Sequence, residues 1–139
     1  MAIYVNKDIF CSVNAIDLSG YVTSVEFVQA VDAVESTAFS ATSTNGHSFI
    51  GGIQNNSATI TFNQDFAASK VWATLNTLVG TPTNVVMRPT SAAVGATNPT
   101  LTLSSTLMSS LSPISGAVGD LASTGAISFQ GGLYTSAIV

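Results

Sequence analysis

The segment from Ser57 to Asn63 carries the plainest pattern in the chain. Ala58, Ile60 and Phe62 alternate with Ser57, Thr59, Thr61 and Asn63. A period of two places successive side chains on opposite sides of a strand, so one face packs and the other stays wet. The wet face is polar yet uncharged. Tyr21 to Val28 alternates in the same way, with Tyr21, Thr23, Val25 and Phe27 on one face and Val22, Ser24, Glu26 and Val28 on the other. Val31 to Ala38 continues that strand or pairs with it. Ile3 to Val5 and Ile9 to Val13 read as an opening pair of strands joined through Asn6, Lys7 and Asp8, a turn-type cluster. Further on, Asn84 to Arg88 is a strand ending at Pro89, and Leu101, Leu103, Ser105 and Leu107 alternate with Thr102, Ser104 and Thr106. Leu121 to Gln130 is the last strong strand, followed by Gly131, Gly132 and an apolar tail from Leu133 to Val139 that the pattern leaves unassigned.

The period changes once. Asp65 is a good helix N-cap, and Val71, Trp72, Leu75, Leu78 and Val79 then fall on one helical face. Gly80 and Pro82 stop the helix. This predicts one helix over about Asp65 to Val79, with Val71, Trp72, Leu75 and Leu78 sealing a sheet. Between the strands, Ser40 to Asn56 is rich in Ser, Thr, Asn and Gly, with turn signals at Asn45-Gly46 and Gly51-Gly52. A loop of that length in a compact domain is usually functional. Ser91 to Pro99 is a loop of small residues, and Pro113 to Gly119 a turn-rich break. The class is mainly β with one flanking α-helix, and residues 1–139 read as one domain without internal repeats.

Composition sharpens the picture. Three Lys/Arg and seven Asp/Glu make up only 7% of the 139 residues, while 46% are hydrophobic; mean hydropathy is +0.46. Soluble domains carry about a quarter charged residues. A membrane span would need roughly 20 consecutive apolar residues, and Ser, Thr, Asn and Gly interrupt every apolar run here. A weakly charged surface tends to associate, so copies of the chain itself are the expected cover, with no membrane insertion. The N-terminus has no basic segment leading into a long apolar run, so no secretory signal is expected, and the sequon at Asn55-Asn56-Ser57 then carries no weight.

Enzymatic chemistry has little to stand on. His47 is the only histidine, which rules out a two-histidine metal site. Gly46 to Gly51 has one residue too many for a nucleophile elbow. Gly116 to Gly119 lacks the Lys-Ser/Thr of a phosphate loop. Asp32 and Glu35 would point to opposite faces of a strand. Cys11, the only cysteine, cannot form an internal disulfide and reads as a small buried hydrophobe. Lys7, Lys70 and Arg88 are too few and too scattered for a nucleic-acid-binding patch, and the pI is about 4.3. No catalytic residue, metal site or cofactor is predicted.

Four stretches carry a resemblance: Asp17-Leu-Ser-Gly-Tyr-Val-Thr-Ser-Val-Glu-Phe27; Asn55-Asn-Ser-Ala-Thr-Ile-Thr-Phe-Asn-Gln-Asp-Phe66 with the Trp72 helix; Met87-Arg-Pro-Thr-Ser-Ala92; and Ser115-Gly-Ala-Val-Gly-Asp-Leu121. In this order they resemble tail tube proteins (major tail proteins) of long-tailed bacteriophages. No one stretch is a signature; together they run from Asp17 to Gln130. The resemblance implies a β-sandwich or barrel-like tail-tube fold, hexameric rings stacked into a helical tube, and a conduit for DNA ejection. It implies as partners the chain itself, a tape-measure protein and tail-terminator or tip proteins, with DNA passing transiently and without specific binding. It places the chain in the virion tail, assembled in the cytoplasm of a bacterial host. Contractile-tail and injection-system tubes share the fold, so the role is better defined than the tail type. The resemblance further suggests that Asn45, Gly46, His47, Phe49 and Ile50 lie in a ring-stacking loop.

A conduit must not hold its cargo, so a lumen poor in cations gives little counterion-release affinity for DNA. Glu26 and Asp32 are the candidate acidic lumen residues. Some relatives carry an extra immunoglobulin-like domain that is not seen here, which predicts a smooth tail exterior. Other readings are a tail terminator or capsid decoration protein, which would form closed oligomers, and a β-sandwich binding carbohydrate or a receptor. Because the Ser40 to Asn56 loop carries no charge besides His47, tube stability should change little between low and moderate salt. Turbidity or sedimentation across a salt series checks this, and dissociation at moderate salt would contradict it.

Overall fold

The structure, a computed structural model, describes residues 2–38 and 46–139. Ten strands and one short helix follow in the order β1 (Phe10–Val13), β2 (Ile16–Asp17), β3 (Val22–Val28), β4 (Val31–Glu35), β5 (Phe49–Gln54), β6 (Ser57–Asn63), α1 (Val71–Leu75), β7 (Thr83–Arg88), β8 (Thr100–Met108), β9 (Ser123–Gln130) and β10 (Leu133–Ala137). Eight strands form one continuous hydrogen-bonded path, β2-β1-β7-β8-β9-β6-β3, with β10 added on β8. Strands β4 and β5 form a separate two-stranded arm.

The path bends into two layers at β8. Residues 100–104 of β8 pair with β7 and β10, whereas Leu107 and Met108 pair with β9. A strand that switches sheets usually does so through a bulge. Here the register against β7 slips between Thr83 and Val85, and Ser105 sits at φ +58°. Asn84 holds this turn, its Oδ1 accepting the Ser105 backbone N–H at 3.0 Å. The slip moves the inward phase from Leu103 to Thr106 and Met108 and leaves Leu107 exposed. The simple alternation predicted for Leu101, Leu103, Ser105 and Leu107 therefore fails at Ser105.

Between the layers lies one cluster. Cys11, Val13, Leu18, Ala58, Ile60, Phe62, Val85, Leu103, Met108, Ile127 and Phe129 are all buried. Each fully buried Leu, Ile or Phe is worth roughly 1.5–3 kcal/mol over its exposed state. Strand β6 follows its pattern: Ala58, Ile60 and Phe62 face in. Strand β3 departs from it. The register against β6 shifts between Val22 and Ser24, so Val22 packs on the same side as Val25 and Phe27. A bulge at Thr23 re-phased the strand, which alternation alone does not reveal.

Other elements differ as well. Ile3 and Val5 belong to no strand; Phe10–Val13 pairs instead with β2 and β7. The β1–β2 turn uses Asn14 and Ala15 at φ +52° and +63°, a type I′ geometry that lacks the usual Gly. The helix is only Val71–Leu75. Ser69 at φ +60° blocks its extension backwards, and Gly80 donates to the Met108 carbonyl at 2.9 Å, drawing Val79 into a bridge with β8. Asp65 caps no helix; its Oδ1 accepts from the Ala67 N–H at 2.9 Å. Val71, Leu75 and Leu78 are buried, but Trp72 is 37% exposed and leans on Phe66 with ring centroids 6.1 Å apart. The apolar tail forms β10, which pairs with β8 from Leu133↔Ser104 to Ala137↔Thr100.

One polar side chain ties the layers to the arm. Asn56 is 1% exposed. Its Oδ1 accepts from the Ala30 N–H at 3.0 Å, and its Nδ2 donates to the Gln54 Oε1 and the Gly132 carbonyl, each at 2.9 Å. Its own carbonyl accepts from the Gly131 N–H at 2.8 Å. Gly132 must be glycine: φ is +86° and a Cβ there would stand 2.4 Å from the Ser104 carbonyl oxygen. Asn56→Ala leaves two backbone groups without partners and should cost about 2–3 kcal/mol. Gly132→Ala adds overpacking to a left-handed φ and should cost about 3 kcal/mol or more. Urea unfolding of both variants measures this; wild-type midpoints would contradict it.

Cys11 is fully buried, and its thiol is pushed up to about 12, first by burial and then by the nearby Asp17 charge. A thiol whose folded value lies above its unfolded one keeps its proton in the folded chain after the unfolded chain has lost it. Stability should therefore be unaffected below about pH 9 and fall with rising pH between about 9 and 12. At pH 8 a thiol reagent should label Cys11 only after unfolding; rapid labelling of the folded protein would contradict the burial.

Candidate functional site

Two surfaces stand out, and both follow from the strand pairing. The first is the outward face of β3, β6 and β9. The register brings its residues into rows: Ser24, Thr61 and Ala126; Glu26, Thr59 and Ser128; Val28, Ser57 and Gln130. Alternation sends most apolar residues of these strands inward, so the outer rows are five hydroxyls and one amide around a single carboxylate, that of Glu26, with Val28 and Ala126 the two apolar members. None of the three cations lies on it. Lys7 is in the N-terminal segment, Lys70 precedes α1 and Arg88 lies on β7. Among the described residues β3 pairs only with β6, so its other edge presents free backbone donors and acceptors.

The second surface is the arm. Every residue of β4 and β5 is exposed. Opposite pairs are Val31↔Gln54, Ala33↔Gly51, Val34↔Ile50 and Glu35↔Phe49. Val34 and Ile50 share one face. Val31, which would meet a Cβ on Gly51 at 3.4 Å, and Phe49 lie on the other. Phe49 and Ile50 are each 59% exposed and Ile53 80%. An isolated two-stranded hairpin is at best marginally stable in water, and this one is apolar on both faces. Beyond the strands, the Ser36 N–H donates to the Ser48 carbonyl at 2.8 Å, and His47 Nδ1 meets a Glu35 carboxylate oxygen at 2.5 Å. The His47 ring also lies 6.4 Å from that of Phe49.

The predicted positions map unevenly onto these surfaces. Asn45 lies outside the described residues. Gly46 and His47 are exposed next to the arm strands, and Phe49 and Ile50 are not loop residues at all but the first residues of β5. The stretch from Ser40 to Asn56, read as loop, thus contains a strand; Gly51-Gly52 lies inside it rather than at a turn. Glu26 is on the polar sheet face and Asp32 on the arm, so the fold does not bring them together. The β4–β5 pairing escaped the sequence reading because Phe49–Gln54 alternates poorly around its two glycines. The exposed Phe66–Trp72 pair escaped it too, since helical spacing had placed Trp72 inside. Among the described residues, no cluster of His, Cys, Asp or Glu is suited to hold a metal ion, and no helix is long and apolar enough to cross a membrane.

No protein-family model matches the sequence, and no curated protein matches it. The fold, however, is similar to that of a chain in the cryo-electron-microscopy structure of an extracellular contractile injection system, the PVC sheath–tube complex in its extended state. The TM-score is 0.68 at 14% sequence identity, covering 99% of this chain and 92% of that one. At that identity the similarity concerns the fold: mainly β, tail-tube-like, with one short helix.

The arm should contribute little to the stability of the core. Replacing Phe49 and Ile50 by Ser should change the unfolding free energy of the isolated chain by less than about 1 kcal/mol, because exposed side chains lose little burial. Urea unfolding at low concentration tests this, and a loss of several kcal/mol would place both side chains in the core.

Proposed function

We propose that this chain is the structural subunit of a tail-type tube, with residues 1–139 acting as one domain. Copies close into rings, hexameric by the resemblance to tail tube proteins, and rings stack into a conduit. The polar face of β3, β6 and β9 lines the channel, and the arm, with Gly46, His47, Phe49 and Ile50, makes the contact between rings. The observation that carries this reading is the pairing of a cation-free hydroxyl face with a nearly whole-chain fold similarity to a sheath–tube component. A DNA cargo meets no positive charge on that face, so no counterions are released and no affinity builds up. The open edge of β3 and the two-sided apolar arm both need covering, and a second copy supplies the cover. Head-to-tail contacts of this kind generate rings when they close and filaments when they do not. As a non-enzymatic component the chain would work with a tape-measure protein, terminator or tip proteins and, in a contractile particle, a sheath.

A second reading rests on the exposed Phe66–Trp72 pair, which could stack against a sugar ring in a carbohydrate-binding role. Negative-stain electron microscopy of the concentrated protein separates the two. Striated hollow tubes or rings are expected. A chain that stays monomeric at high concentration would overturn the tube reading and favour the binding role. In a tailed particle carrying Glu26→Lys, a ring of cations would replace the only carboxylates on the face, and DNA ejection should slow severalfold. Normal tails with unchanged ejection would remove Glu26 from the lumen.

A further inference from the structure

The distribution of charge points to a specific receptor for the arm. From Gln29 to Ser57 the chain carries Asp32, Glu35 and His47 and no lysine or arginine. Glu35 is engaged by His47. Elsewhere Asp8 is bonded by the Ser91 hydroxyl, Asp17 by Ser19, Asp65 by Tyr21 and Ala67, and Asp120 by the Ala117 N–H. Among the described residues Glu26, on the polar sheet face, and Asp32, on the arm, have no such partner, and neither Lys7 nor Arg88 meets a carboxylate.

Those two cations flank one groove. A cavity of about 480 Å³ runs beside Lys7 and residues 22–25 of β3, and a smaller one of about 230 Å³ opens beside Phe27, Met87, Arg88 and Leu101; Asn6, Ile9 and Val25 border both. Around the larger cavity the walls are mainly polar, with Asp8 beside Lys7; at the Arg88 end they are apolar, formed chiefly by Ile9, Val25, Phe27, Met87 and Leu101, and along one side runs the free edge of β3. An open strand edge beside apolar pockets is the arrangement that accepts an added strand. The Arg88 guanidinium stacks over the Phe10 ring, 3.9 Å from its centroid, while its Nε is buried without an acceptor. Stacked in this way, arginine keeps its terminal nitrogens for a carboxylate, and a partly buried cation without a counterion is costly.

The arm cannot be the occupant of its own groove. Its base is closed by the Asn55 N–H donating to the Ala30 carbonyl at 2.8 Å and by Asn56 bonding Ala30, and its strands are exposed on both sides. We propose that the β4–β5 arm of a second copy lies in the groove between the N-terminal segment and the β3 edge, with its Asp32 paired to Arg88. The acidic, apolar arm is complementary in both respects to the Arg88 end of the groove, where the walls are apolar and Arg88 is the one charged residue. The inference rests on the tube reading and names the receptor surface within it. A pair buried in this way is screened less by salt than an exposed one.

The test compares wild type, Asp32→Arg, Arg88→Asp and the double exchange by sedimentation and electron microscopy. Each single variant should lower the assembled fraction at least tenfold at a fixed concentration, and the double exchange should restore it to within about threefold. Single variants that assemble normally, or a folded double variant that stays apart, would overturn the pairing while leaving the tube reading intact. A monomeric wild type would overturn both. Should Arg88→Asp fail to fold, Asp32→Cys chains mixed with Asn6→Cys chains and a short bismaleimide give a second readout. Buried Cys11 stays silent, a cross-linked heterodimer is expected, and assembled material without it would overturn the inference.

Discussion

Strand β8 belongs to both layers, and the closeness of Gly132 to the Ser104 carbonyl is the constraint that lets it do so. The slip at Ser105 turns the strand from one sheet into the other. The chain returning from β9 must then pass hard against the β8 backbone to become β10. Only a residue without a side chain fits there, and Asn56 secures the crossing from beneath. From that junction follow the closed core, the direction in which the polar sheet looks, and the point from which the arm departs. A disturbance at Gly132 or Asn56 therefore reaches three parts of the molecule at once.

The low charge of the chain takes on a definite layout in this fold. Most carboxylates are spent on local bonds: Asp17 and Asp65 hold turns through backbone N–H groups and hydroxyls, and the Ala67 N–H, followed by the Tyr21 hydroxyl, holds the Asp65 carboxyl below its ordinary value. What is left for long-range recognition is small in number and distributed by element. The polar sheet face keeps one acid, the arm strands carry acids only, and the apolar end of the groove keeps Arg88. A protein with few charges can still be specific, since each one that is desolvated at a contact counts for more than one in water.

Much of the body was legible in the sequence because the period of two survives wherever a strand is regular. Strand β6 reads directly, and β7 nearly so. The failures cluster where one residue changes phase. The bulge at Thr23 brings Val22 inward beside Val25 and Phe27, the bulge at Ser105 reverses the inward set of β8, and no alternation rule anticipates a bulge. Helical spacing overstates the helix for a related reason: Val71, Leu75 and Leu78 have that spacing, but Ser69 and Gly80 confine regular helix to a little over one turn, and Trp72 falls outside the packed stripe. The arm was hardest to see. Its strand β5 contains paired glycines and packs against nothing in its own chain, so neither periodicity nor composition distinguished it from a loop. The Glu35–His47 contact was equally hidden, being set by register across the arm.

The two-sided arm also bears on how growth would begin. A hairpin that is marginal alone spends part of its time unpaired, and docking must first meet the entropy of ordering it. Two free subunits meeting in solution would gain few contacts against that cost, whereas a subunit arriving at a formed end gains many. Growth by such a chain would show a lag and a threshold concentration, and a preformed end would abolish the lag. The shape of the arm would then govern when a tube starts, and the rest of the fold how firmly it holds.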